Sequence, residues 1–259
     1  MSTPRMLGLA PMPRMPADRR LTDAITAALR TDQEAGSREL ESLVAAVSDA
    51  LPDAGAQRVE SLEAALISCG EEAVRRQLGL GISAEVTAAT LADVGSKIES
   101  YGADVDIPWL IGLLRGDVVT LGRLQFERHA TADGRAMHIP EDGPLDPERV
   151  DRSIAECRAL FGSGTITCTS WLLDANLRAL PSGSNIVSFA ARFDVAPAAS
   201  GTGHSGSGDA AVAKFVFRRP LAEVLDPAVV VPSTSLERLV AGHLRSGRHW
   251  TEPRGVLRA

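Results

Sequence analysis

The segment Met137–Phe161, MHIPEDGPLDPERVDRSIAECRALF, constrains the fold more than any other stretch of the chain. It reads as the end of a strand, a short polar loop and a well-signalled helix. Asp146 stands at the N-cap position and Pro147 at the first helical position, where its missing N–H costs nothing. Val150, Ile154, Cys157, Leu160 and Phe161 return to one face at helical spacing. A strand that gives way to a helix in this manner aims unpaired backbone N–H groups at the loop, together with the positive end of the helix dipole. Such a corner is a seat for an anion such as a pyrophosphate. A capped helix packed on a sheet, with no ligand at all, accounts for the same residues.

Upstream the pattern is helical. Residues 1–17 carry Met, Pro and Arg without periodicity and are expected to form a flexible tail. Leu21, Ile25 and Leu29 share a face. So do Leu40, Leu43, Val44, Val47 and Leu51, closed by Pro52, and then Val59, Leu62, Leu66 and Cys69. Ser83 caps a helix bearing Leu91, Val94, Ile98 and Tyr101, which Gly102 stops, and Ile107–Leu114 is a further short helix. Residues 18–115 are therefore expected to form a helical domain. It holds no cluster of chemically capable residues and reads as scaffold, or as a wall over a cleft.

At Gly116 the period changes. Val118–Arg128 alternates as a strand, and Ala136–Ile139 returns after the turn at Ala132-Asp133-Gly134. Thr165–Leu173 and Ala213–Phe217 read as strands. Ser184 caps a helix carrying Ile186, Phe189 and Phe193, and Thr234 with Glu237 makes a capping box. Residues 196–209 read as a flexible polar loop. Within it Gly201, Gly203 and Gly206 match the dinucleotide spacing literally, but no strand precedes them and no helix follows, so the match lacks its physical basis. The tail from Gly247 gives no clear pattern. The expectation is α+β, with a helical domain followed by a mixed-sheet domain over 116–259.

Composition narrows the function. A net charge of −6 with 4% aromatics offers neither the basic surface nor the stacking rings of a nucleic-acid binder. Three cysteines without CxxC spacing suggest no zinc site and no disulfide framework, and point to a reducing cytoplasm. No run of residues reaches the length of a membrane span, and no metal is expected. Three positions could carry chemistry. Glu127 ends the alternating strand, as a base facing a cleft or as a solvated carboxylate. His138 precedes the anion loop, as a proton acceptor or a structural hydrogen-bonder. Cys168 on the next strand could pair with His138 as a nucleophile, or be a small buried hydrophobe.

From about Gly81 onward the chain resembles bacterial acyltransferase-domain proteins with a helical N-terminal domain and a GNAT-like C-terminal domain. The resemblance is carried by the Thr90–Ile98 helix, LGRLQFE at 121–127, HIP at 138–140, CTSWLL at 168–173, SNIVSFAARF at 184–193 and PSTSLER at 232–238. It implies transfer of an acyl group from acyl-CoA, or a related thioester, to an amine of a small molecule or peptide by direct attack. It also implies a pantetheine arm lying along 136–139 and 165–173. Donor-binding residues are then Ile139, Gly143, Leu145, Asp146, Trp171 and Asn185. Glu127 or His138 would be the base, and Ser170 or Cys168 the proton donor to the leaving thiolate. The chain departs from the pattern in three places. EDGPLDP replaces the Gly-rich phosphate loop, the sole tyrosine is Tyr101 in the helical half, and Thr169 stands where relatives carry His. A silent binding module and a Cys–His thiol acyltransferase are the alternatives.

Overall fold

The computed structural model of the protein describes residues 3–9, 16–32, 37–53, 55–141, 143–195 and 208–258. The chain forms two compact units, Met1–Leu121 with Glu127–His129, and Gly122–Phe126 with Ala130–Ala259.

The first unit is helical: α1 (Thr3–Met6), α2 (Arg19–Arg30), α3 (Arg38–Ala50), α4 (Gly55–Gly79), α5 (Ala84–Tyr101) and α6 (Ile107–Arg115), followed by strand β1 (Val118–Leu121). Asp18, Ser37, Ser83 and Asp106 each accept a first-turn N–H through the side chain and so fix four of the helix starts. Their apolar faces meet in one core that includes Leu21, Ile25, Leu29, Leu66, Leu91, Val94, Leu110 and Leu114. The stretch read as a flexible tail is structured where it is described. Leu7 and Leu9 are buried, and the Gly95 N–H donates to the Leu7 carbonyl. Close approach of the Gly8 backbone is possible because position 95 has no Cβ; one there would collide with the Gly8 carbonyl.

Two arginines close the C-terminal end of α2. Arg115 donates to the carbonyls of Ala28 and Thr31, and Arg76 donates to that of Leu29 at 2.8 Å. Cations placed there satisfy orphan carbonyls and complement the helix dipole. The Arg115 side chain is 1% exposed and is paired with Asp117 at 2.6 Å.

The second unit carries β2 (Leu124–Glu127, whose last residue belongs to the first unit), β3 (Arg135–His138), α7 (Pro147–Phe161), β4 (Ile166–Thr169), α8 (Asn185–Ala190) and β5 (Phe193–Val195). Then come α9 (Asp209–Val212), α10 (Leu221–Leu225), α11 (Ser235–Arg245) and β6 (Arg254–Leu257). The strand order is β1-β2-β3-β4-β6-β5. β3 and β4 are parallel, joined through α7, whereas β2 with β3, β4 with β6, and β5 with β6 are antiparallel. The fold is therefore α+β, as the sequence suggests.

Several elements differ from the expectation. The single strand over 118–128 is a hairpin, β1 and β2, because Gly122 takes a φ of 59° and turns the chain. The strand over 165–173 ends at Thr169, after which Ser170 accepts the Leu172 N–H and starts a 3-10 turn at Trp171–Leu173. The strand expected over Ala213–Phe217 is helical, a π turn continuing α9. A short apolar run does not by itself distinguish strand from buried helix. Here Asp209 decides it, because its Oδ1 accepts the Trp250 N–H at 2.7 Å and anchors the start of α9. Phe193, expected on the helix after Ser184, instead opens strand β5 because α8 ends at Ala190, and β6 lies in the tail that gave no clear pattern. The Gly-rich match at 201–206 lies outside the described residues, as does nearly all of the polar loop around it.

Candidate active site

α7 begins and ends where the sequence places it. Asp146 accepts the Arg149 N–H at 3.0 Å, and Pro147 occupies the first position. The loop before it is held from below. Arg123, in the β1–β2 turn, is 2% exposed and sends its guanidinium into the loop, with Nε donating to the Pro144 carbonyl at 3.0 Å and Nη2 to the Gly143 carbonyl at 2.8 Å. Its own backbone N–H donates to Ser153 Oγ at 2.7 Å, and that hydroxyl donates to the Arg149 carbonyl. Turn, loop and first helical turns thus form one hydrogen-bonded block. With the Pro144 carbonyl turned toward Arg123 through a trans peptide, the Leu145 N–H points the other way. The guanidinium also puts a positive charge behind the loop.

The two strands flanking this corner diverge. Pairing of β3 with β4 runs Arg135↔Ile166 and Ala136↔Thr167. Beyond that, Met137 and His138 pair with Phe126 and Gln125 of β2, whereas Cys168 and Thr169 pair with Gly255 and Arg254 of β6. Each strand keeps its outer neighbour, and among the described residues no pair joins them past Ala136. The C-terminal ends of two parallel strands next to a helix N-terminus are where open α/β sheets bind nucleotides.

The candidate residues distribute unevenly over this frame. His138, Ile139, Gly143, Leu145 and Asp146 lie on one continuous segment, with Cys168, Ser170 and Trp171 at the end of the neighbouring strand. Gly143 differs from expectation, because its N–H is spent on the Glu141 carbonyl at 3.1 Å and its own carbonyl faces Arg123. Asp146 offers its carboxylate to α7, so it organises the corner and gives no donor to an anion from its side chain. The other acidic loop residue described, Glu141, stands 3.9 Å from Arg218. Trp171 is buried, and Asn185 opens α8 one residue after the capping Ser184. Glu127 lies in the first unit, on the wall of a cavity there.

The surroundings of Cys168 disfavour a nucleophile. It is 2% exposed within the sheet, and burial pushes its thiol up to about 12. At pH 7.5 the thiolate is then far below about one molecule in a thousand. Iodoacetamide is expected to leave Cys168 unmodified in the folded protein and to label it after denaturation, as peptide mass mapping would show. Rapid labelling of the native protein would restore the thiol reading. Ser170 lies one residue beyond the end of β4. Its Oγ accepts from the Leu172 N–H at 3.1 Å, which leaves the hydroxyl hydrogen to donate elsewhere.

Comparison with known proteins agrees with this frame. The family model described as the GNAT-like C-terminal domain matches residues 118–257. The chain belongs to this family. Over its whole length, the GNAT-like chain is also similar to solved acyltransferases. One, in complex with decanoyl-CoA and teicoplanin, is 25% identical with a TM-score of 0.66, covering 99% of each chain. Another, in complex with CoA and 10C-teicoplanin, is 25% identical with a TM-score of 0.67, covering 100% of this chain and 99% of that one. No curated protein matches it. Among the described residues no helix is long and apolar enough to cross a membrane, and no group of three metal-ligating side chains converges.

Arg123 and Ser153 were not among the sequence candidates. The signal was Gly122, because a glycine inside an alternating strand marks a bulge or turn, and the turn is what turns Arg123 inward.

Proposed function

We propose that the GNAT-like chain transfers an acyl group from acyl-CoA to an amine of a small-molecule acceptor by direct attack. The observation that carries this reading is the parting of β3 and β4 beside the Arg123-backed loop and the start of α7. An extended pantetheine arm would lie where the pairing of β3 with β4 ends, with the pyrophosphate near the Leu145 N–H. Acyl-CoA and the small-molecule acceptor are supported by the ligands of the similar acyltransferases. Direct attack, without an acyl-enzyme, is supported by the burial of Cys168 within the sheet.

In the step itself the amine nitrogen attacks the thioester carbonyl, so that a C–N bond forms and the C–S bond breaks. The acceptor gives up a proton to Glu127 or His138, directly or through water, because only the neutral amine has the lone pair. A strand N–H stabilises the charge on the carbonyl oxygen. The second proton that the nitrogen sheds as the C–S bond breaks passes through the Ser170 hydroxyl, which gives its own hydrogen to the CoA thiolate and takes this one in its place, so that CoA leaves as the thiol.

The test is release of CoA thiol from decanoyl-CoA across a panel of small amines. Glu127→Ala and His138→Ala, made separately, are expected to differ, with the variant lacking the base losing about 10²–10⁴-fold in kcat/KM. Ser170→Ala is expected to lose about tenfold in kcat with little change in KM. Wild-type turnover in both base variants would overturn that assignment. Saturable acyl-CoA binding with no product from any amine would replace the enzyme with a binding module.

A further inference from the structure

The second unit holds a histidine fixed by a buried carboxylate, and the acyl-transfer step makes no use of it. His249 Nδ1 lies 2.7 Å from Asp209 Oδ2, and the imidazole is 52% exposed whereas the carboxylate side chain is 10% exposed. The other carboxylate oxygen, Oδ1, accepts the Trp250 N–H at 2.7 Å. A second buried carboxylate holds the next residue, because Asp174 Oδ2 accepts both the N–H and the hydroxyl of Thr251, at 2.8 and 2.7 Å. Residues 249–251 are therefore pinned twice, and the imidazole has a set orientation. A carboxylate only accepts, so in the neutral imidazole Nδ1 carries the hydrogen and Nε2 the lone pair. Among the described residues Nε2 has no hydrogen-bond partner.

This segment runs past the C-terminal end of β4. Thr169 pairs with Arg254, the Ser170 N–H donates to the Pro253 carbonyl at 3.3 Å, and Asp174 meets Thr251. Because β3 and β4 are parallel, the loop that leads into α7 leaves from the same edge of the sheet. An imidazole with one nitrogen held by a carboxylate and the other open is the arrangement of a general base for a weak, neutral nucleophile. Half exposed, this one meets water.

We infer that the His249–Asp209 pair gives the chain a second activity, hydrolysis of acyl-CoA when no amine is bound. This rests on the acyl-CoA donor of the reading above, and not on transfer to an amine. Water attacks the thioester carbonyl while His249 Nε2 takes one of its protons, so that a C–O bond forms. The C–S bond then breaks and the imidazolium returns that proton to the sulfur, so that CoA leaves as the thiol. The acyl group leaves as the carboxylic acid, which ionises in water. Asp209 is the positioning residue, fixing the tautomer and offsetting the charge on the imidazolium. A neutral amine is a far better nucleophile than water and attacks without this base.

Decanoyl-CoA in amine-free buffer is the probe, with thiol release followed by absorbance and the acid by mass spectrometry in heavy-oxygen water. The full chain is expected to release thiol and decanoate in equal amounts, the decanoate carrying one solvent oxygen. His249→Ala is expected to hydrolyse about a hundredfold more slowly, with added imidazole restoring part of the rate, which a purely structural role would not allow. His249→Gln, which can still donate to Asp209, is expected to lose as much and serves if the smaller side chain unfolds the segment. Asp209→Asn keeps an acceptor for the Trp250 N–H but turns an N–H toward Nδ1, which forces the wrong tautomer. It is expected to lower the hydrolytic kcat at least about tenfold, with the KM for decanoyl-CoA unchanged. Amide formation from the amine panel is measured on the same preparations, whose folding circular dichroism checks. Amide without hydrolysis in the wild type, or folded His249 variants that hydrolyse at the wild-type rate, would overturn the inference and leave acyl transfer standing. Hydrolysis that depends on His249, with no amide from any amine, would instead overturn transfer to an amine and leave a hydrolase.

Discussion

Replacing Arg123 with methionine is expected to raise the KM for acyl-CoA by about ten- to a hundredfold while kcat changes by less than about threefold. The guanidinium makes two bonds to the loop that precedes α7, to Gly143 and Pro144, and its backbone locks onto Ser153. Hydrogen bonds from a charged group contribute about 1.5–3 kcal/mol each, and an ordered loop costs entropy to hold without them. Losing them frees the Pro144 peptide and so the direction of the Leu145 N–H. On the proposed reading the loop meets the pyrophosphate and not the reacting carbonyl, so the effect is expected in donor binding rather than in the chemical step. Arg123→Lys is expected to rescue little, because one ammonium cannot reproduce a planar fork to two carbonyls. Calorimetric titration with CoA, alongside steady-state kinetics on the folded variant, separates a loop effect from global unfolding. A folded Arg123→Met protein with wild-type acyl-CoA KM would show that the loop holds its shape without the side chain.

The corner around α7 was legible because its signals are local. A capping Asp, a proline at the first position and apolar spacing act within a few residues, so Pro147–Phe161 and α2 to α6 of the first unit could be read directly. The α+β class followed from the change of period at Gly116. What could not be read depends on residues distant in sequence. Arg123 and Gly143 are twenty positions apart, and nothing in either neighbourhood announces the bond. The helical state of Ala213–Phe217 is set partly by Asp209 meeting Trp250, forty-one residues on. β6 is only four residues long, with Arg254 and Val256 exposed, and it is a strand because β4 and β5 supply its hydrogen bonds. The cavity of the first unit was hidden for a related reason. Its walls come from α3, α6 and the end of β2, each of which looks like ordinary scaffold when taken alone.

The largest stability effect is expected at Arg115. Arg115→Met keeps roughly the length and apolar stem of the side chain and removes only the charge and its donors. The losses are then specific. The carbonyls of Ala28 and Thr31 at the end of α2 lose their cation, and Asp117, 5% exposed, is left with Arg128 alone at 3.5 Å. Breaking a buried pair by removing one partner costs about 3–5 kcal/mol, because the survivor cannot return to water. Against a total stability of about 5–15 kcal/mol, that brings the protein close to its unfolding limit at physiological temperature. Urea denaturation followed by circular dichroism should show the midpoint fall sharply. Arg115→Met combined with Asp117→Leu removes both charges together and is expected to regain part of the loss. It should not regain all of it, because the end of α2 still lacks the Arg115 cation and Arg128 loses its contact with Asp117. A single variant within about 1 kcal/mol of wild type would mean that water reaches Asp117 and replaces the guanidinium, and that this pair does not hold the end of α2.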